Sequence, residues 1–459
     1  MSHKHGDQEH SHDDDHEGHD HDHEHDHGDA GHVHGGHLPE KVGPSFHDFI
    51  PPPTHFRIAP MLGRNAHQHG EAGLNNPMVR DLLVDNWEKL YAEPYRGLTI
   101  DGSLIGGLYS LGPNGAPGEA MVAATAKLLG MVSPEERKHL CHPVDAREWR
   151  RWNNTEMYMF QYGLRLEEVG VPLRDAMLDV VRESLSSKGY DRIRDVMRLN
   201  HYLGELVGNT LVFGEWSFNF TLFGEPSVKA PWGWQLMGHH LALNCLVING
   251  QMVLSPVFMG AEPNYADTGQ FKGIRIFQDE EHIGLDLMRM LSPEQRAMAI
   301  VRHSNLGPDQ PPGRWHRADQ LHFGGAFQDN RVVPYEGVAV ADFSTVQKKR
   351  LMDLVNAYVM PLPQGPRKAR MEEVERHLAD THFCWIGGTS DESTFYYRIQ
   401  SPVVFIEFDQ HAGVYLTNPT PERFHIHTIV RTPNGNDYGM DLLKMHYSQA
   451  HKGQKPGES

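Results

Sequence analysis

The stretch FYYRIQSPVVFIEFDQ, residues 395–410, reads as two short strands broken at Ser401-Pro402. In the second, Glu407 and Asp409 fall on one face while Ile406 and Phe408 fall on the other, because side chains alternate across a strand. In the first, Tyr396, Arg398 and Gln400 form a second polar face. HFCWIGG lies just before this pair and FHIHTIV just after, giving four closely spaced strands between 382 and 430. Within FHIHTIV the same period puts His425 and His427 on one face, with Arg431 farther along, and turns Ile426 and Val430 to the other. If the last two strands pair as an antiparallel hairpin, two imidazoles and two carboxylates converge. That is the raw material of a two-histidine, one-carboxylate metal site.

A second strand block lies upstream. In WSFNFTLF the residues Trp216, Phe218, Phe220 and Leu222 alternate with polar ones and predict a half-buried strand. WGWQLMGHHLALNCLVINGQMVLSPVF follows, and its Asn249-Gly250 pair is a hairpin signal between apolar runs. Read as one continuous strand, MGHHLALN turns His239 and His240 to opposite sides. His239 then becomes a core histidine, and His240 a candidate ligand or general acid. Helices are expected over most of 118–208, where SPEE at 133–136 carries a capping box. SPEQ at 292–295 and STVQ at 344–347 repeat that signal. The segment 303–342 is rich in Pro and Gly, carries His303, His316 and His322, and has the length of a lid or a disordered segment. Blocks of helix and strand together predict an α+β fold, with a helical N-terminal half packed on a mixed or antiparallel sheet.

The ends of the chain differ from this body. Residues 1–37 hold 13 of the 33 histidines, with 11 Asp and Glu against one Lys, and almost nothing apolar. Such a tail is expected to be disordered and to capture metal ions loosely. Residues 38–117 read as a linker or wrapped arm and the way into the domain, and 118–450 as a single domain. The formal charge of -18 argues against nucleic acid as a partner. No apolar run reaches membrane-spanning length, the start lacks the apolar core of a signal peptide, and Cys141, Cys245 and Cys384 form no CxxC pair. A cytoplasmic protein is expected.

The C-terminal polar faces admit three readings: a metal site, a metal-free substrate pocket, or a solvent-facing ladder of cross-strand pairs. The first takes His425, His427 and one carboxylate, Glu407 or else Asp409, as ligands for a divalent zinc, iron or copper ion, with the spare carboxylate or His240 handling protons. Arg398 and Arg431 would then hold an anionic group of a small-molecule substrate. A metal-dependent hydrolase is the leading expectation and an oxygenase the next. The alternatives are a metal-trafficking or storage protein built around the tail and a metal-free binding module. His446 is a weak further ligand candidate, and His282 defaults to structure.

WGWQLMGHHLALN, FGEPS at 223–227, FYYRIQSPVVFIEFD and HIHTIVRTPNGNDYGMDLLKMHY together resemble the domain of unknown function 3500 family. The resemblance extends from about 120 to 450 and implies that this region is one unit; it implies no activity. No GxGxxG, GxxxxGK[ST] or GxSxG motif is present, and no HExxH helix.

Overall fold

The computed structural model describes residues 43–452. The His-rich tail, with its expected disorder and metal capture, lies outside them. Two short strands, β1 (Cys141–His142) and β2 (Leu164–Arg165), precede four long ones: β3 (Phe218–Phe223), β4 (Trp232–Gly238), β5 (Leu241–Ile248) and β6 (Gln251–Ala261). Short strands β7 (Ile300–Arg302) and β8 (Val338–Ala339) lead to a second set of four: β9 (His382–Gly387), β10 (Phe395–Gln400), β11 (Phe405–Gln410) and β12 (Ile426–Arg431). All join one sheet in the order β1-β3-β4-β5-β6-β12-β11-β10-β9-β7, with β2 on β3 and β8 on β9. The long strands thus form two antiparallel meanders, fused where β6 pairs with β12. Among the named strands of the described residues only the β1–β3 and β7–β9 pairs are parallel, so the sheet is mixed and the fold is α+β.

Local chemistry explains several boundaries. Ser133 with Glu136, Ser292 with Gln295 and Ser344 with Gln347 all form reciprocal capping boxes at helix starts. Asn249 and Gly250 occupy a two-residue turn with φ of 47° and 73°, the left-handed pair that a tight hairpin requires. The β4–β5 connection differs from its expectation. Gly238 pairs with Leu241, so His239 and His240 are themselves a two-residue turn, and the alternation assumed for them does not apply. His240 has φ 60°, an uncommon conformation for a residue with a Cβ.

The strands are buried on both faces, β3 included, where a half-buried strand was expected. One face packs on helices Val171–Ser184, Ser187–Val207, Gln278–Met290 and Thr345–Val359 through Trp234, Tyr397, Phe408 and their neighbours. The other is covered by the N-terminal segment and by the irregular chain from 303 to 337. Residues 43–117 are a wrapped arm that buries Phe46, Ile58, Met61 and Trp87 and includes helices Ala66–Leu74 and Asp85–Ala92. No helix among the described residues is long and apolar enough to cross a membrane.

Candidate metal centre

The hairpin register sets the polar face. Asp409 stands opposite His427, Glu407 opposite Ile429 and Arg398 opposite Glu407, so Arg398, Glu407, Asp409 and His427 share one side of the sheet. Their surroundings rule out a solvent-facing ladder: each is at most 4% exposed. An irregular segment lying on a sheet must find partners for its own N–H and C=O groups. Here the strand side chains supply them.

Glu407 accepts hydrogen bonds from the backbone N–H of Phe323 (2.8 Å) and Gly324 (2.8 Å) and from the Tyr396 hydroxyl (2.6 Å). Its carboxylate therefore anchors the roof and does not join the histidines, contrary to its expected role as a ligand. Arg398 donates to Glu336 (2.8 Å) and to the carbonyl of Pro334 (3.3 Å). Arg431 donates to Asp437 (2.8 Å), to Asp329 and to the Gly324 carbonyl (3.2 Å). Asp329 in turn binds Arg150 and the Tyr438 hydroxyl, both at 2.8 Å. Both guanidiniums, expected to bind substrate, are internally paired, because burying an Arg requires opposite charge and acceptors around it.

What gathers instead is a group of five histidines: His240, His322, His411, His425 and His427, each no more than 4% exposed. The ring nitrogens available to a ligand on His240, His425 and His427 lie within 4.8 Å of one another, and so do those on His322, His411 and His427. His427 belongs to both triads. Three elements of the sheet meet there: the β4–β5 turn brings His240, the strand β12 with the residue before it brings His427 and His425, and the chain leaving β11 brings His411. His322 descends from the roof. Gly260 on β6 faces His427, and a Cβ on it would stand 2.9 Å from His427 Cδ2 and 3.1 Å from His240 Cδ2. Glycine leaves the room in which the two rings converge.

Hydrogen bonds fix one tautomer. His425 Nδ1 donates to the Ala412 carbonyl (3.0 Å), which leaves Nε2 with its lone pair, facing His427 Nε2 at 3.1 Å. A tetrahedral ion with bonds of about 2.0–2.1 Å sets neighbouring ligand nitrogens about 3.4 Å apart. The observed separation is close to that edge. A carbonyl holding the far side of the ring is also the usual support of a ligating histidine. The 411–416 loop that presents Ala412 is held in turn by Gln320, which binds its backbone at Ala412, and by Glu262, which accepts from the backbone of Val414 and Leu416.

The electrostatics favour neutral rings. Burial, aided by neighbouring histidines, pushes His240 and His427 well below the ordinary histidine value. Burial also lowers His425 against the pull of Glu262, and lowers His411 to about 4 against the pull of Asp409. Neutral imidazole is the form that binds a metal ion. His322 is the exception. Burial would lower it, but Asp319 and Asp409 outweigh that and raise it to about 10. Burial would raise Asp409, but His411 and His322 hold it at about 2.

His239 lies against His240 with centroids 3.8 Å apart and ring planes tilted by 31°, and bonds Asn200 at 2.8 Å, outside both triads. His282 and His446 are half-buried and belong to neither triad. Among the residues not foreseen as ligands, His411 continues the Glu407–Asp409 alternation by one more step, a signal available in the sequence. His322 had no such signal beyond its place in a long irregular segment. A cavity of about 270 Å³, lined in part by Tyr109, Met252, Tyr358 and Arg370, shares no lining residue with the histidines.

No curated protein and no solved structure matches the chain. The family model described as "Protein of unknown function (DUF3500)" matches residues 114–440, and the chain belongs to that family.

Proposed function

We propose that this chain binds a divalent transition-metal ion through His240, His425 and His427 and is a metal-dependent enzyme of the cytoplasm, a hydrolase in the first instance. The observation that carries the reading is the buried triad, in which His425 is oriented by a backbone carbonyl and its lone-pair nitrogen faces His427 at 3.1 Å. All-imidazole donors suit zinc, copper or iron. Three protein ligands leave a coordination position open, as in catalytic sites. The ion would supply Lewis-acid polarisation of a carbonyl and of water.

The chain's own residues supply the rest of the chemistry. Asp409, ionised beside the triad on the same strand face, supplies negative charge next to the ion. The roof from 303 to 337 keeps bulk water away from the reacting groups. An anionic group on a small substrate, assigned from sequence to Arg398 and Arg431, falls instead to Arg314. That guanidinium is buried on the same roof, and its Nε and Nη2 have no hydrogen-bond partner.

A storage or trafficking role is favoured by one feature, the enclosure of all five histidines. The two readings separate in a screen of carboxylate-bearing esters and amides with metal-loaded protein. Turnover that disappears in His425→Ala and in chelator, and returns with metal only in the wild type, supports the hydrolase. Tight metal retention with no turnover across the screen favours storage.

A further inference from the structure

The ion proposed above uses His240, His425 and one nitrogen of His427, and leaves a set of buried polar atoms without partners. Both ring nitrogens of His322, both of His411, Nδ1 of His427 and Oδ1 of Asp409 are enclosed and make no hydrogen bond. These six atoms belong to four residues that meet at one point. His322 Nδ1 lies 3.8 Å from Asp409 Oδ2 and His322 Nε2 lies 3.4 Å from Asp319 Oδ1, which are ion-pair distances too long for good hydrogen bonds. His411 Nε2 reaches Asp409 Oδ2 at 2.8 Å, but the N–H direction does not point at the oxygen. Buried polar groups are almost always satisfied, so a concentration of orphans marks something that binds there.

We infer that His322, His411 and His427, with Asp409 as the carboxylate, form a second divalent-cation site next to the first, and that its occupancy pins the 303–337 roof to the sheet. The inference rests on the metal reading proposed above through the shared His427. That residue would bridge the two positions as an imidazolate, its ring proton leaving as the cations bind: Nε2 is turned to His425, and Nδ1 is unpartnered. The donor set, three imidazoles and a carboxylate, suits zinc, iron or manganese, which would bind with loss of the His322 proton. Asp319 lies 3.4 Å from His322 Nε2, and Nδ1 is the nitrogen nearer Asp409.

Topology gives the site its consequence. His411, His427 and Asp409 belong to the β11–β12 hairpin and its margin, whereas His322 belongs to the roof. The roof is otherwise held at this point by the backbone N–H groups of Leu321, Phe323 and Gly324 on Asp409 and Glu407. Gly325 passes close above, where a Cβ would stand 3.0 Å from His322 Nε2. An ion bridging His322 to the hairpin ties the cover to the floor, so the second cation governs access to the first.

The test is zinc content of the full-length protein after loading and passage over chelating resin, measured side by side for wild type and variants so that the tail contributes equally. The expected result is a loss of one zinc per chain in His322→Gln and in His411→Gln, loss of the other in His240→Gln, and loss of both in His427→Ala. If His322→Gln and His411→Gln keep the wild-type content, the second site is refuted while the first stands. If none of the variants loses zinc, both readings fail. If every single variant loses all of it, there is one five-histidine site and the inference is overturned. Should the roof variants misfold, amide exchange at Phe323 and Gly324 in the wild type decides: zinc is expected to slow it at least tenfold, and no slowing overturns the proposal.

Discussion

Gly260→Ala adds one carbon to β6 at the place where the β4–β5 turn and strand β12 bring His240 and His427 together. The new Cβ would lie 2.8 Å from the Ile426 carbonyl oxygen, 2.9 Å from His427 Cδ2 and 3.1 Å from His240 Cδ2, against the 3.4 Å at which ordinary contact begins. The overlap is thus 0.5 Å on one ring and 0.3 Å on the other. The carbonyl is part of the β12 ladder and cannot move away cheaply. Overpacking of this kind costs about 1–3 kcal/mol. The metal feels it more sharply, since bond lengths tolerate only about ±0.2 Å and disturbed ligand support lowers affinity roughly 10–100-fold. The assay is the thermal midpoint with chelator and with zinc. Wild type is expected to gain stability from zinc; Gly260→Ala should start a few degrees lower and gain little. Gly106→Ala, with nothing within 4 Å of its Cβ, is the control that should match wild type. A Gly260→Ala variant stabilised by zinc as strongly as wild type would refute the convergence of His240 and His427 on an ion.

Glu407→Gln keeps the shape of the roof anchor but halves its acceptors, and should lose about 2–3 kcal/mol in denaturant unfolding while retaining zinc; loss of zinc with unchanged stability would return Glu407 to the ligand set. Asn249→Pro puts proline where φ is 47° and removes the N–H bonded to the Lys229 carbonyl, so it should cost about 3 kcal/mol or more, and an unchanged denaturation midpoint would count against that turn. Metal-free protein should lose stability as the pH falls. His239 and His411 titrate near 4 in the fold against 6.5 in the unfolded chain, so between those values the unfolded state takes up protons first. Each such histidine contributes at most roughly 3 kcal/mol, fully present above 6.5 and gone below 4. His322 has the opposite sign: its contribution is complete below 6.5 and lost as the pH rises through about 10. Equal unfolding free energies at pH 7 and pH 5 in chelator would contradict the neutral-histidine cluster.

Much of the architecture was legible because it rests on local rules. Asn249-Gly250, the three capping boxes and the period-two pattern of 395–410 each specify their element within a few residues. The His239-His240 turn escaped because neither residue carries a turn signature; the left-handed His240 is tolerated through its tertiary surroundings. The alternation in 405–410 and 426–431 told correctly which residues share a face, but not what each does there. Glu407, Arg398 and Arg431 carry the same polar signal as Asp409, yet only the path of the roof separates a loop anchor from a neighbour of the histidines. Phe323 and Glu407 are 84 residues apart and meet through the roof's backbone, and His322 reaches the cluster only because of that meeting. Long-range meetings of that kind leave no periodic trace in a single chain. The burial of both sheet faces was hidden for the same reason, because the wrapped arm and the roof are irregular segments whose docking depends on side chains far away.

The most direct measurement is the metal content of protein beginning at Leu38, free of the His-rich tail, after passage over chelating resin. The account predicts at least one tightly held transition-metal ion per chain in the wild type and none in His427→Ala, with both proteins giving the same far-ultraviolet circular dichroism. A folded wild-type protein that retains no metal under these conditions, or a His427→Ala variant that retains as much as wild type, would contradict it.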